Sequence, residues 1–151
     1  MDALGLTSIY LDKLSSYCLK HFVNVIPCDY LPKYSLEPNM QFIINLSDSN
    51  TPGSHFVAIS CHDNYITYFD SFGLECTNSW ILSHLKNHSI IQSNTQIQSL
   101  SSMFCGFFCL SFLIEDEKGK SIEEYLNLYQ DDLTKNDDLC VSIIKKHILT
   151  M

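Results

Sequence analysis

The stretch SSMFCGFFCLSFLIED, residues 101–116, begins with small polar residues and then becomes almost entirely apolar. Such a run predicts a buried helix that opens at Cys105, with Gly106 directly after it and Cys109 one helical turn further on. Most buried cysteines are simply small core residues. A thiol at a helix N-terminus, however, is favoured as the thiolate by the helix dipole and by free backbone N–H groups. Cys105 is therefore a candidate nucleophile, with Cys109 as its rival on the same helix.

The composition is that of an ordinary globular protein. A chain of 151 residues is long enough to bury a core, so one domain covering residues 1–151 is expected. The net charge is −8 and all nine basic residues are lysine, which gives no strong sign of nucleic acid binding. The N-terminus lacks a signal-peptide pattern, and no apolar run approaches the ~20 residues of a membrane span. We therefore expect neither nucleic acid nor a membrane as a partner.

The seven cysteines form an odd set with no regular spacing and no C-x-x-C pair, which argues against a zinc ribbon or a thioredoxin-type site. We expect free thiols in a reducing, intracellular environment. His84 and His88 lie one turn apart on a predicted helix and are spaced to bind a metal, but no third ligand stands nearby. No metal and no cofactor are therefore expected.

Helical and strand patterns alternate along the chain. Helices are predicted over 6–22, 77–88, from 105 onward, over 121–130 and over 137–149, and strands over 40–46, 55–61, 65–72 and 95–100. Three prolines make the segment 25–40 irregular. The helix over 77–88 is expected to turn Trp80, Leu82 and Leu85 inward. This order predicts an α+β fold, with a small, largely antiparallel sheet packed by helices.

A nucleophilic thiol needs a base, a group that orients the base and donors for an oxyanion. His55 begins a predicted strand directly after a Pro-Gly loop, where a rigid backbone can hold its ring against a cleft. Asp70 closes the next strand of the predicted hairpin. Both residues are about equally far from the turn at 62–64, so they are expected to be neighbours across the strands. Asp70 also fits the first position of an Asp-Ser-Phe-Gly turn.

Gln98 is the candidate oxyanion donor, because its neutral amide lies seven residues before Cys105 on the segment that leads to the thiol. Gln96 and Gln92 compete with it on spacing alone. Together His55, Asp70, Gln98 and Cys105 describe a cysteine hydrolase.

The segments GSHFVAI, YFDSFG and IQSLSSMFCGFFCLSFL resemble the adenain-like cysteine proteases, which are the adenovirus endopeptidase and its relatives in Maverick/Polinton-type elements. The wider clan includes proteases that remove SUMO. The upstream CDYLPKY and MQFIINLSDSNTPGSH also resemble the family, so the match covers about residues 22–115. The sequence departs from the family at Phe56, where Trp is frequent.

The resemblance implies a role for each site residue. His55 corresponds to the base, Asp70 to the acidic residue that orients it, Cys105 to the nucleophile and Gln98 to the oxyanion-hole residue. The seven-residue gap before the nucleophile matches the adenain-like branch, whereas the gap of the SUMO-protease branch is one shorter and would select Ser99. The implied fold is papain-like, with the nucleophile at the N-terminus of a central helix and the base and acid on the facing sheet.

The resemblance also implies a function. We expect a monomeric cysteine endopeptidase of a virus or virus-like element, which cleaves capsid or other structural precursor proteins after a small residue such as Gly. It would act in the host cell nucleus or cytoplasm and be packaged in the virion. An activating peptide is a candidate partner beside the protein substrate. The alternatives are a deconjugase of a ubiquitin-like modifier, with the same site, and a non-enzymatic scaffold of the same fold.

Overall fold

The structure is a computed structural model that describes residues 3–50 and 55–151, with side chains from residue 8 onward. The loop at 51–54, from which His55 was expected to emerge, lies outside the described residues. The helices in the described part are α1 (Ala3–Cys18), α2 (Ser79–Leu85), α3 (Cys105–Glu117), α4 (Ile122–Leu126) and α5 (Asn136–Thr150). The strands are β1 (Phe22–Pro27), β2 (Gln41–Asn45), β3 (Phe56–Cys61), β4 (Ile66–Phe69) and β5 (Ile90–Gln92). Short 3₁₀ helices are found at Cys28–Lys33 and Leu133–Lys135.

The strands form one mixed sheet in the order β1-β2-β3-β4-β5. The central strands β2, β3 and β4 are antiparallel, whereas β1 is parallel to β2 and β5 is parallel to β4. The expected α+β fold is confirmed, but the sheet is antiparallel only at its centre. The reason lies in the connections, because the Cys28–Lys33 helix separates β1 from β2 and α2 separates β4 from β5. Such crossovers return the chain in the parallel sense.

Several segments differ from their predicted structure. No strand was predicted at β5, and the helix predicted over 121–130 ends at Leu126. Phe22–Pro27 forms β1 although most of it falls in or beside the segment expected to be irregular, because its proline stands at the end of the strand. The strand expected over 95–100 does not form. Instead, the N–H groups of Ile97 and Gln98 donate to the carbonyl oxygen of Ser71 at 2.9 and 3.1 Å. This segment is therefore bonded to a turn at the end of β4, and β5 is the last strand.

The sheet is buried on both faces. Phe56 and Ala58 belong to the core that includes α3, whereas Val57 and Ile59 belong to the core that includes α2. All six residues of β3 are buried as a result. Strands covered on both faces show continuous apolar runs rather than alternation.

The helix α2 buries Leu85 as predicted, but not Trp80 and Leu82. Ile81 and Leu85, four residues apart, are buried, while Trp80 is 46% and Leu82 is 42% exposed. Asn78 caps the helix by accepting a hydrogen bond from the N–H of Ile81 at 3.1 Å. The cap fixes where the helix begins, and the residues that face the core are therefore Ile81 and Leu85.

The helix α3 occupies the centre of the molecule. Nine of its 13 residues are buried, and it packs against β3, α1, α4 and α5. A Cβ added at Gly106 would lie 2.7 Å from Leu11 Cδ2, so α1 approaches the start of α3 closely. No helix among the described residues is both long and apolar enough to cross a membrane.

Candidate active site

Cys105 is the first residue of α3 and is partly exposed. The preceding residue, Phe104, supplies no side-chain cap to the helix, and its own N–H donates to Ser102 Oγ at 3.1 Å. Cys109, one turn along, is fully buried, and this burial raises the pKa of its thiol well above the usual value. A thiolate is therefore disfavoured at Cys109, and Cys105 is the accessible thiol of the pair.

His55 stands at the start of β3 and contacts both proposed partners. Its carbonyl oxygen accepts a hydrogen bond from the N–H of Leu46 at 2.9 Å, which holds its backbone against β2. Its Nε2 lies 2.8 Å from Asp70 Oδ1. Burial acts to lower the pKa of His55, but hydrogen bonds and charge interactions with Asp70 and Cys105 outweigh it and raise the pKa to about 9. The imidazolium form of His55 is therefore favoured at neutral pH.

Asp70 is 3% exposed and is held by several hydrogen bonds. Its Oδ1 accepts from the backbone N–H of Phe72 at 2.8 Å as well as contacting His55. Ser93 Oγ accepts from the N–H of Asp70 at 3.1 Å and donates to its carbonyl oxygen at 3.0 Å. The carbonyl also accepts from the N–H of Gly73 at 2.8 Å. Asp70 therefore begins a turn and orients the histidine ring at the same time.

The ring of Phe72 stacks on His55, with centroids 4.7 Å apart and planes at 24°. The hairpin pairs Ala58 with Phe69. If that register continued, His55 would lie opposite Phe72, with Asp70 as a diagonal neighbour on the same face. One side of the imidazole is thus covered by an aromatic ring, and one edge is held by a carboxylate.

Gln98 is fully buried on the segment that leads to the thiol. Its Oε1 accepts a hydrogen bond from Ser71 Oγ, and its Nε2 donates to both the carbonyl oxygen and the Oγ of Ser102 at 3.1 Å. Gln96 is exposed and donates to the Gln98 carbonyl oxygen at 2.9 Å, while Gln92 accepts from a backbone N–H in the loop before α2 at 3.0 Å. Of the three glutamines, Gln98 is the one whose amide is fixed against the loop before Cys105.

Sequence reasoning did not identify four residues that hold this site, namely Ser71, Phe72, Ser93 and Ser102. Ser71 and Phe72 follow Asp70 directly, so the predicted Asp-Ser-Phe-Gly turn was the signal that could have indicated them. Ser93 and Ser102 lie in polar loops, and no pattern in the sequence distinguishes them from neighbouring serines.

A polar cavity of about 400 Å³ lies at the end of α3 opposite to Cys105. There Asp116 accepts from Ser60 Oγ at 2.5 Å and contacts His62 Nε2 at 3.1 Å. Because the carboxylate stands between the hydroxyl and the imidazole, the histidine cannot take the serine proton, so this is not the arrangement of a nucleophile and base. At the histidine pair considered for a metal, the ring of His84 contacts the carbonyl oxygen of Tyr34 at 2.8 Å. Over residues 3–50 and 55–151 no group of three metal-ligating side chains is found.

Comparison with known proteins gives structural relatives but no sequence relatives. No protein-family profile and no curated protein matches the chain. The ASFV pS273R protease matches with a TM-score of 0.56 and 19% identity, over 84% of this chain and 62% of that one. HopZ1a in complex with IP6 and CoA matches with a TM-score of 0.51 and 17% identity, over 78% of this chain and 43% of that one.

The chain therefore spans less than two thirds of the length of these relatives. At such identities the likeness shows the fold. It is a cysteine-protease-like fold, which is the fold that the sequence resemblance implies.

Proposed function

We propose that the chain is a cysteine endopeptidase that uses Cys105 as nucleophile, His55 as general acid and base, Asp70 as the residue that orients His55, and Gln98 as an oxyanion donor. The observation that carries the proposal is the position of His55, which interacts with the carboxylate of Asp70 and with the thiol at the start of α3. A base placed between an orienting acid and a nucleophile is the arrangement that acyl transfer requires.

The reaction would begin with attack of the Cys105 thiolate on the carbonyl carbon of the scissile peptide bond. The electron pair of the carbonyl moves onto its oxygen, which is stabilised by the Gln98 amide and the backbone N–H of Cys105. Nε2 of Gln98 has two hydrogens, and when one of them is shared between the two oxygens of Ser102, the other is available to the substrate oxygen without rotation of the amide. As the intermediate collapses, the C–N bond breaks and the His55 imidazolium gives its proton to the leaving amine.

The second half of the reaction releases the acyl group. His55, now neutral, takes a proton from water, and the hydroxide attacks the thioester carbonyl. The C–S bond breaks, the carboxylic acid leaves and the thiolate–imidazolium pair is restored. Asp70 holds the imidazole in one orientation through both halves of the reaction.

The substrates we propose are the structural precursor proteins of a virus or virus-like element, cut after a small residue. Supporting this choice are the sequence resemblance to adenain-like enzymes and the likeness in fold to the ASFV pS273R protease. The place of action we propose is the infected host cell and the virion.

A second candidate is acyl transfer from a thioester, because HopZ1a, which shares the fold, was solved with CoA. An acyl group carried on CoA would be attacked by the same thiol, and the acyl-enzyme would pass to an amine or hydroxyl instead of water. Both reactions need Cys105, so they are distinguished by the molecule that accepts the acyl group, which is water in hydrolysis and an amine or hydroxyl in transfer.

The test is to incubate the protein with the capsid precursor of its own genetic element and with a library of proteome-derived peptides, and to map new N-termini by mass spectrometry. We expect cleavage by wild type and none by Cys105→Ala. In parallel, ¹⁴C-acetyl-CoA is supplied with the same proteins. Acetylation without cleavage would replace the protease proposal by the transferase. If neither cleavage nor acetylation occurs, the deconjugase and scaffold alternatives remain.

A further inference from the structure

We propose that a directional chain of hydrogen bonds, Ser71–Gln98–Ser102–Asp137, fixes the orientation of the Gln98 amide, and that Ser71 and Asp137 are positioning residues for the oxyanion donor. The inference rests on the proposed function, since it concerns the donor of that reaction. It assigns to two residues a role that the sequence motifs do not indicate.

The direction of this series of hydrogen bonds is set at its Asp137 end. Ser102 Oγ lies 2.7 Å from Asp137 Oδ1, and because a carboxylate can only accept, the single hydroxyl hydrogen of Ser102 is used there. The remaining lone pairs of Ser102 Oγ accept from the N–H of Phe104 and from Gln98 Nε2, each at 3.1 Å. Ser102 therefore presents only acceptors to the glutamine.

The other end of the hydrogen-bond series is Ser71, which is fully buried. Its Oγ donates to Gln98 Oε1, since an amide oxygen carries no hydrogen. The amide oxygen is thereby held toward the turn after β4, and the two N–H bonds are held toward the loop that ends at Cys105.

This orientation matters because a primary amide has nearly the same shape when rotated by 180° about its last side-chain bond. In the rotated form, Gln98 Oε1 would face the carbonyl oxygen of Ser102, so that one acceptor opposes another. It would also present a partial negative charge where negative charge develops on the substrate. The Ser102 acceptors disfavour that form, because the hydroxyl hydrogen of Ser102 is already used on Asp137. The Ser71 hydroxyl can donate or accept, and it holds the opposite end of the amide in the orientation that Ser102 sets.

The turn Asp70–Gly73 is consequently a single element that positions both halves of the site. Asp70 orients the base, and the next residue, Ser71, orients the oxyanion donor. The carbonyl oxygen of Ser71 also accepts the backbone N–H groups of Ile97 and Gln98, so the turn holds the glutamine by main chain and side chain together.

A double-mutant cycle on one cleaved peptide tests the proposal. We expect Ser71→Ala to lower kcat by roughly tenfold or more, within the ~10²–10³-fold loss typical of removing a whole oxyanion donor, and to leave KM nearly unchanged. The double variant Ser71→Ala/Gln98→Ala should be no slower than Gln98→Ala. A merely structural role of Ser71 would instead make the two losses multiply, and wild-type kcat in Ser71→Ala would also overturn the proposal.

Two further variants keep the test decisive. Ser111→Ala is the matched control, because Ser111 is equally buried and hydrogen-bonded, but to Tyr125 and the Phe108 carbonyl in the core, and its kcat should stay at the wild-type level. Asp137→Ala covers the case in which Ser71→Ala fails to fold, since Asp137 is partly exposed. Without an acceptor at this position, the Ser102 hydroxyl hydrogen is free to point at Gln98, so kcat should fall while KM holds. Unchanged kcat in Asp137→Ala would contradict the proposal.

A substrate-independent measurement separates this inference from the proposed function. Acetyl-Gly-Gly-glycinal is an aldehyde to which the Cys105 thiolate adds, forming an S–C bond while the carbonyl electron pair moves to the oxygen and takes a proton from His55. Iodoacetamide alkylates the same sulfur with loss of iodide and needs no oxyanion donor. We expect Ser71→Ala to weaken aldehyde binding at least tenfold at an unchanged alkylation rate. If wild type binds no aldehyde, the proposed function and the inference fall together, whereas equal aldehyde binding by Ser71→Ala and wild type removes only the inference.

Discussion

His55 Nε2 lies 2.8 Å from Asp70 Oδ1, although the register of the β3–β4 hairpin, if it continued, would make the two residues diagonal rather than opposite neighbours. The position opposite His55 in the continued register is that of Phe72, whose ring stacks on the imidazole. Because Nε2 is taken by the carboxylate, the other ring nitrogen is left for Cys105. The residues after β4 therefore hold one edge and one face of the imidazole, through Asp70 and Phe72.

Replacing the thiol separates the two cysteines of α3. We expect Cys105→Ala to abolish peptide hydrolysis with no loss of thermal stability, because it removes the nucleophile from a partly exposed position. Cys109→Ala should retain turnover and lower the free energy of unfolding by about 1 kcal/mol, as expected for deleting one buried group of methyl size. Kinetics and thermal melts of both variants check this, and turnover by Cys105→Ala would move the nucleophile elsewhere.

The pH dependence of activity should report His55. Its pKa is raised to about 9, so the imidazolium needed by the leaving amine persists through neutral pH and is lost as the pH rises through about 9. Asp70→Asn removes a charge that favours the imidazolium, and the alkaline limb of kcat/KM should then move down by about 1 pH unit or more. Gln98→Ala is the control, since it should slow the reaction without moving the limb. An alkaline limb that stays in place in Asp70→Asn would exclude Asp70 as the partner of His55.

The same titration predicts a change in stability. A group whose pKa is higher in the folded state stabilises that state fully below its unfolded pKa of 6.5 and loses the contribution as the pH rises to about 9. The free energy of unfolding should therefore carry a term that decreases between these pH values in wild type. In His55→Gln that decrease should be absent, and urea unfolding of both proteins at pH 6.5 and 9 measures the difference.

Gln98 should matter for the chemical step rather than for binding. We expect Gln98→Ala to lower kcat by ~10²–10³-fold, about 3–4 kcal/mol, with KM little changed. Gln96→Ala is the matched control, because Gln96 is exposed and its amide donates only to the Gln98 carbonyl oxygen among the contacts found here. If Gln96→Ala is the damaging variant, the alignment of this segment with the protease family is wrong by two residues.

Gly73 should be required for the turn that carries Asp70 and Ser71. Its φ is +71°, and an added Cβ would lie 2.6 Å from the carbonyl carbon of Thr95. Gly119 is a suitable control, since its φ is +96° but nothing lies within 4 Å of an added Cβ. Gly119→Ala should cost only the backbone strain, about 1–2 kcal/mol. Gly73→Ala should lower stability further and reduce kcat as well, and equal losses in thermal melts of the two variants would contradict the close packing of this turn.

The sequence alone determined the elements whose signals are local. The apolar run from Cys105 predicted the central helix, and the strand patterns around 40–46 and 55–61 predicted β2 and β3 to within a residue, because burial on both faces leaves continuous apolar runs. The sequence also supplied the candidate site residues. His55, Asp70 and Cys105 each stand at the end of a predicted element, and Gln98 was chosen by its spacing from Cys105.

Only the tertiary structure decided how these ends meet. The segment 95–100 contains residues compatible with a strand, but its backbone N–H groups find Ser71 rather than a neighbouring strand, and that choice depends on the close approach at Gly73. The direction in which the Gln98 amide faces depends on two hydroxyls from different loops, and no periodic pattern encodes such contacts. Local periodicity reflects which side of an element is buried, whereas the placement of a catalytic group depends on long-range hydrogen bonds that form only when the sheet and α3 pack together.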